Sequence, residues 1–344
     1  MNANQATQQM NQYGRDAVPF LFVIDFLRKK PLLFKLDELD KSQIRYTIGA
    51  QTTASNTPFY FKKHPVDFET YQRGFDEVVR NLKVGNSFLT NYTAQTPIET
   101  NLSLLEIFDR SEAKYKLWLK DELVCFSPET FVQIQGNRIA SFPMKGTIDA
   151  DLPDAERIIR TDTKEAAEHA TIVDLIRNDL SMVAQKVWVE RYRYAEILQT
   201  NERKLLQISS EIAGTLAPNW QQNLGDLIFT MLPAGSICGA PKPKTIEIIE
   251  QTEGYERGYY TGIFGVFDGQ NLDSGVMIRY IEQQNGRLIF KSGSGITARS
   301  HAAAEYQEMI DKVYLPFCAH DQPTAALHRD DSRLQPQVRE SALA

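Results

Sequence analysis

The chain has 344 residues, is 42% hydrophobic and 24% charged, and carries a formal net charge of −6, the balance of a globular protein able to bury a core. That acidic balance excludes non-specific nucleic-acid binding, which needs a basic stripe. The polar N-terminus lacks the apolar segment of a secretory signal. No run of about 18 apolar residues exists to span a membrane, and Cys125, Cys238 and Cys318 show no CxxC spacing. The expectation is a cytoplasmic protein with reduced thiols and neither nucleic acid nor membrane as partner.

Residues 1–17 and 319–344 read as flexible ends, being polar and without an apolar period. Residues 18–318 read as one domain. Phe20–Phe26 is a buried strand. Phe68, Tyr71, Phe75, Val78, Val79 and Leu82 recur at helical spacing and stop near Gly85. Ser87–Thr96 alternates as a strand, and Ser103–Arg110 reads as a short helix. Strands follow at Lys114–Leu119 and Leu123–Phe126, then Phe131–Gln135 and Arg138–Phe142 joined by the turn Gly136-Asn137. A long helical stretch lies between Asp162 and Ala184, with strands at Lys186–Tyr192 and Leu205–Ala213. A helix at Leu224–Met231 leads to a Gly/Pro-rich loop, Leu232–Lys244, and a helix over Thr245–Gln251. Tyr259–Phe267, Leu272–Ile281 and Arg287–Ser292 read as strands separated by Asp268-Gly269 and Asn285-Gly286, before a last helix over Ala302–Tyr314. Hairpins with helices arriving in separate blocks predict an α+β fold.

Several groups could carry chemistry. Lys145 lies between Pro143-Met144 and Gly146-Thr147, where Gly146 lets the backbone turn; a surface lysine in a turn fits the same residues. An amine beside an acid can attack an electrophilic carbon while a hydroxyl departs, and Glu129 in Ser127-Pro128-Glu129 is such an acid. Ser127 and Pro128 equally suit the cap and first position of a helix. Glu165, Glu168 and His169 share a helical stretch, and Glu305 and Glu308 stand one turn apart. Carboxylates meeting from two helices suit Mg²⁺; solvated acidic faces are the plain alternative. Ser292-Gly293-Ser294-Gly295-Ile296 reads as a Gly-rich turn able to offer amides to an anion. Arg279 could clamp a carboxylate or make a rim salt bridge. Neither a P-loop nor a dinucleotide fingerprint is present.

Taken together, these stretches resemble the chorismate-utilising enzymes from about Phe20 to Phe317, and within them the aminodeoxychorismate synthase component I branch. The resemblance rests on Ser127-Pro128-Glu129, Pro143–Thr147, Ala167-Glu168-His169, Ile172–Leu180, Gly235–Lys242, Arg257–Gly262, Ile278-Arg279, Gly293–Ile296, and Glu305–Glu308 with Lys312. It implies one α+β domain of two large stacked antiparallel sheets with helices outside. It implies chorismate as substrate, and Mg²⁺ held by Glu168 and Glu308 with Glu305 in support. Arg279, Tyr260 and the Gly293, Ser294 and Gly295 amides would hold the enol-pyruvyl carboxylate. Gly146 and Thr147 would line the ring, and Lys312 would reach its carboxylate.

Lysine in the middle of the Pro143–Thr147 motif, where anthranilate synthases carry alanine, implies the subfamily. Neutral Lys145 would attack ring C2 while Glu129 protonates the departing C4 hydroxyl. Ammonia from a separate glutamine amidotransferase would then add at C4 and expel Lys145, on the way to para-aminobenzoate and folate. That scheme expects burial and Mg²⁺ to push Lys145 below the usual lysine pKa of about 10.4. Leu89, Gln207 and Cys238 depart from the family pattern; Cys238, at a threonine position, is expected to remove a hydroxyl near the substrate. Anthranilate synthase component I is the nearest alternative, and a non-catalytic binding partner the alternative from another class.

Overall fold

The computed structural model describes residues 1–49, 57–199 and 204–317; the expected tail 319–344 lies outside them. In chain order, α1 (Ala3–Arg15) leads to β1 (Phe20–Ile24), β2 (Leu32–Lys35), β3 (Ile44–Ile48) and β4 (Phe61–Lys63). Helix α2 (Phe68–Lys83) precedes the long β5 (Leu89–Thr100). Helix α3 (Leu104–Arg110) precedes β6 (Tyr115–Leu119), β7 (Leu123–Ser127), β8 (Thr130–Gln135), β9 (Arg138–Ser141) and β10 (Met144–Asp149). Helices α4 (Ala155–Thr161) and α5 (Thr163–Ser181) are followed by β11 (Lys186–Gln199), β12 (Lys204–Thr215) and α6 (Leu224–Met231). The remainder is β13 (Gly239–Ala240), α7 (Lys242–Thr252), β14 (Ile263–Phe267), β15 (Leu272–Val276), β16 (Tyr280–Gln284), β17 (Arg287–Ile296) and α8 (Ala302–Asp311).

The strands form two antiparallel sheets. One runs β10-β12-β9-β8-β15-β14-β1-β2 with β11 added on β12; the other runs β13-β5-β17-β16-β7-β6-β3 with β4 on β5. Strand β1 shows why they stack. Leu21 and Val23 pack with Tyr115, Leu117, Leu123 and Phe264 between the sheets. Phe20, Phe22 and Ile24 point the other way, into a core with Met10, Leu180 and Ile228 from α1, α5 and α6. With both faces covered, every residue of β1 is apolar and buried, each side chain contributing roughly 1.5–3 kcal/mol by area. The sheets approach closely at Gly275, where a Cβ would lie 2.5 Å from Tyr115 Cγ. The chain is a single α+β unit with helices on the outside.

Three expectations are corrected. The N-terminus does not fray: Asn2 and Gln5 form a capping box for α1. Ala6, Met10 and Gly14, four residues apart, are its buried face, and a Cβ on Gly14 would lie 1.9 Å from Gln221 O. The Asn/Gln-rich composition hid that narrow stripe. Next, Leu272–Ile281 is not one strand. It breaks at Met277–Arg279, where the chain crosses from one sheet to the other, with Arg279 at φ 53°. Finally, Gly293-Ser294-Gly295 is not a turn but the end of β17, with Gly293 opposite Thr93 and Gly295 opposite Asn91.

Candidate active site

The crossing at Met277–Arg279 creates the site. Strand β16 pairs with β17 only as far as Tyr280 opposite Lys291, so Ser292–Ile296 have β5 on one side and, among the described residues, no strand on the other. Gly293 and Gly295 line a cavity of about 700 Å³ there, walled by both sheets, α5 and α8. Thr261 N donates to Met277 O and Met277 N to Gly262 O, both at 2.8 Å. These bonds pin the crossing so that Tyr260 and Arg279 face the same cavity. Arg279 Nε is buried with no hydrogen-bond partner among the described residues, the condition of a donor that awaits an anion.

Lys145 enters from β10 through a bulge. Met144 pairs with Ser209 and Thr147 with Gln207, so Lys145 and Gly146 together oppose one residue of β12. Gly146 takes φ 84°, which suits a residue without Cβ, and the bulge re-aims the lysine. Lys145 Nζ lies 2.9 Å from Glu168 Oε2. Burial works against the charged amine, yet Glu168, Glu165 and Glu308 outweigh it and hold the pKa above the ordinary lysine value. The expected lowering by burial is therefore corrected for the ligand-free site: three carboxylates keep this ammonium protonated.

Glu129 occupies the turn between β7 and β8, not a helix start. Its backbone N donates to Ser127 Oγ at 3.1 Å, and Ser236 Oγ donates to its carboxyl. Burial pushes its pKa up, partly offset by Ser236, Arg279 and Lys312, which favours the protonated form an acid needs. Ser236, from the one-turn 3-10 helix Gly235–Ile237, had no assigned role, and only its place inside a matched motif marked it.

The carboxylates converge from two helices. Glu168 on α5 and Glu308 on α8 both line the cavity, and Glu308 Oε1 pairs with Lys312 Nζ at 2.7 Å. Lys312 also donates to Gly293 O at 2.8 Å, and burial lowers its pKa, opposed by Glu308. Glu165, three residues before Glu168, comes close to Gly146: a Cβ there would meet Glu165 Oε2 at 3.2 Å. Among the described residues no three His, Cys, Asp or Glu side chains form a ready metal cage. Mg²⁺ needs only one or two protein carboxylates, completing its shell with water and substrate oxygens. Glu168 and Glu308, both on the cavity wall, offer the kind of oxygen donors such an ion takes.

Of the other expected residues, Glu305, Ser294 and Gly146 fall outside the cavity wall. Glu305 is buried one turn before Glu308, within electrostatic reach of Tyr71. Ser294 is buried on the face of β17 opposite to Gly293 and Gly295. Gly146 and Thr147 supply the bulge and the strand pairing after it. Of the departures, Leu89 lines the cavity, whereas Gln207 does not. Cys238 is fully buried in the core beneath α5 and α6, so its thiol does not replace a hydroxyl at the substrate.

The profile of the chorismate binding enzymes matches residues 30–316. The chain belongs to that family. An uncharacterized PabA-like protein of Haemophilus influenzae is 51% identical over 314 residues, covering 90% of this chorismate-binding enzyme and 96% of the relative. Aminodeoxychorismate synthase component 1 of Bacillus subtilis is 29% identical over 70% of this chain and 54% of its own. Anthranilate synthase component 1 of Arthrobacter globiformis is also 29% identical, over 93% of this chain and 60% of its own. Among solved structures, a 2,3-dihydroxybenzoate-specific isochorismate synthase from Bacillus anthracis superposes with a TM-score of 0.67 at 20% identity, covering 91% of this chain and 87% of that one. No described helix is long and apolar enough to cross a membrane.

Proposed function

We propose that this chorismate-binding enzyme is an aminodeoxychorismate synthase component I, converting chorismate and ammonia to 4-amino-4-deoxychorismate. The observation that carries the reading is the presence of Lys145 and a half-buried Glu129 on the wall of one cavity. A nucleophile and an acid able to act on opposite ends of the same ring are what substitution through a covalent adduct requires. Lys145 attacks C2 while Glu129 gives its proton to the C4 hydroxyl, which leaves as water. Ammonia adds at C4 and the bond to Lys145 breaks. Arg279, Lys312 and the open edge at Gly293 and Gly295 suit the two carboxylates of the substrate.

Glu168 and Glu308 would hold Mg²⁺, which supplies positive charge for the ring carboxylate. Lys145 must shed the proton that Glu168 now stabilises before it can attack. Ammonia comes, in this reading, from a separate glutamine amidotransferase, with which the PabA-like naming of the Haemophilus relative agrees.

The deciding experiment incubates the purified chain with chorismate, Mg²⁺ and ammonium, identifies the product, and maps any adduct by mass spectrometry. An adduct on Lys145 with release of aminodeoxychorismate is expected; anthranilate or isochorismate as the product refutes the reading. Calorimetric titration with Mg²⁺ alone tests the cation site independently of turnover, with Glu168→Gln expected to abolish the binding.

A further inference from the structure

Behind Glu129 lies a second cavity, of about 20 Å³. Glu129, Ser236 and Pro143 line both this space and the larger cavity, so the Glu129–Ser236 pair forms part of the wall between them. The inner space is otherwise bounded by buried residues, among them Asp179 and Ser141. That size admits one water where two or more polar groups face it. Asp179 is anchored through both carboxylate oxygens: Oδ1 lies 2.7 Å from Lys242 Nζ, and Oδ2 accepts from Gly235 N at 3.2 Å. Lys242 also donates to Met231 O at 2.7 Å and keeps 16% of its side chain exposed, a link to solvent.

The proposed chemistry needs such a link. Neutral ammonia enters, the C4–O bond breaks with the Glu129 proton carried off in water, and the C2–N bond to Lys145 forms and then breaks. The product amine leaves as an ammonium at neutral pH, so chorismate, ammonia and one proton give product and water. Each cycle therefore leaves Glu129 as a carboxylate that must take one proton from solvent. We propose that Asp179, through a single water in the inner cavity, returns that proton to Glu129, with Lys242 connecting Asp179 to solvent. Burial raises the pKa of both Glu129 and Asp179, against Arg279 and Lys312 at the first and Lys242 and Gly235 N at the second, so both carry protons more readily than exposed acids. The inference rests on the reading of Glu129 as the acid.

Two variants test it. Asp179→Asn combined with Lys242→Met removes the relay without stranding a buried charge, and Val132→Ile fills the inner cavity from β8. Rapid-quench single-turnover and steady-state rates are measured with chorismate, Mg²⁺ and ammonium. Glu129 enters the first cycle already protonated, so the first turnover stays within about twofold of the parent. The steady state falls at least about tenfold and a burst appears, a smaller loss than the roughly 10²- to 10⁴-fold that a general acid itself contributes. Steady-state rates in both variants equal to the parent's, or a parallel loss of first and later turnovers as a merely structural role would give, overturns the relay. A parent enzyme that makes no aminodeoxychorismate overturns the reading beneath it instead, and the two failures are told apart by the product.

Discussion

The ionic network beneath β5 and the charges facing the cavity use the same residue types in opposite ways. Below, Arg257 and Glu253 form a fork-to-fork pair, with Nη2 to Oε1 at 2.6 Å and Nε to Oε2 at 2.8 Å. Arg257 also donates to Ile237 O, Thr261 Oγ1 and Asn91 O and lies over the Phe26 ring. Glu253 accepts in addition from Thr93 N and Oγ1. Lys291 meets Glu282 at 2.7 Å and caps Arg257 O. Every arm finds a partner, and the result ties the loop at Ile237 to β5 and to the turn before β14. In the cavity, by contrast, Arg279 Nε has no partner among the described residues, and Lys145 and Lys312 each hold a glutamate that a cation could claim. Saturated charge positions the fold, whereas unsaturated charge waits for a ligand.

This contrast can be broken by mutation. The largest effect is expected from Lys145→Ala, with kcat/KM for aminodeoxychorismate falling by at least about 10³-fold, roughly 4 kcal/mol, while Tm stays near the parent value. Activity surviving in that variant would remove the nucleophile from the cavity side of the comparison. Arg257→Ala should act the other way, lowering unfolding free energy in urea by about 3–5 kcal/mol because Glu253 is left buried and unpaired; a neutral result would show the lower network to be dispensable.

Arg279→Gln sharpens the distinction. Its unfolding free energy should move by less than about 1 kcal/mol, but KM for chorismate should rise about 30- to 100-fold, the loss of a charged hydrogen-bond donor worth about 2–3 kcal/mol. The smallest effect concerns Glu211, which sits away from both regions between Arg138 and Arg191. Burial would raise its pKa, but the hydrogen bonds from the two arginines outweigh it and hold the pKa below the usual range. A depressed folded pKa contributes stability that is present above the unfolded value of about 4.3 and is lost as pH falls through the folded value. Arg191→Ala should flatten that acid limb by no more than about 1 kcal/mol, read from urea midpoints between neutral pH and pH 3.

Much of the fold was legible because its signals are local. The apolar run of Leu224–Met231 gives α6 at its observed bounds, and the Gly136-Asn137 turn sets Gln135 opposite Arg138. The periodicity of Phe68–Leu82 gives α2, with Tyr71, Phe75, Val78 and Leu82 buried. What failed was non-local. Met277–Arg279 carries no Gly or Pro to mark a break, since the crossing is imposed by hydrogen bonds to Thr261 and Gly262. Gly293-Ser294-Gly295 looked like a turn because its pairing partner, β5, lies some two hundred residues earlier in the chain.

For the site, residue types and spacing alone placed Lys145, Glu129, Glu168, Arg279 and Glu308 among the candidates, and all five line one cavity. Sequence could go no further, because a side chain's partners depend on the strands and helices that arrive beside it. The bulge that aims Lys145, its pairing with Glu168, and the burial of Cys238 away from the cavity all arise from register and packing across distant segments. So does the sign of the Lys145 shift: burial and negative charge oppose each other, and only the positions of three carboxylates decide which wins.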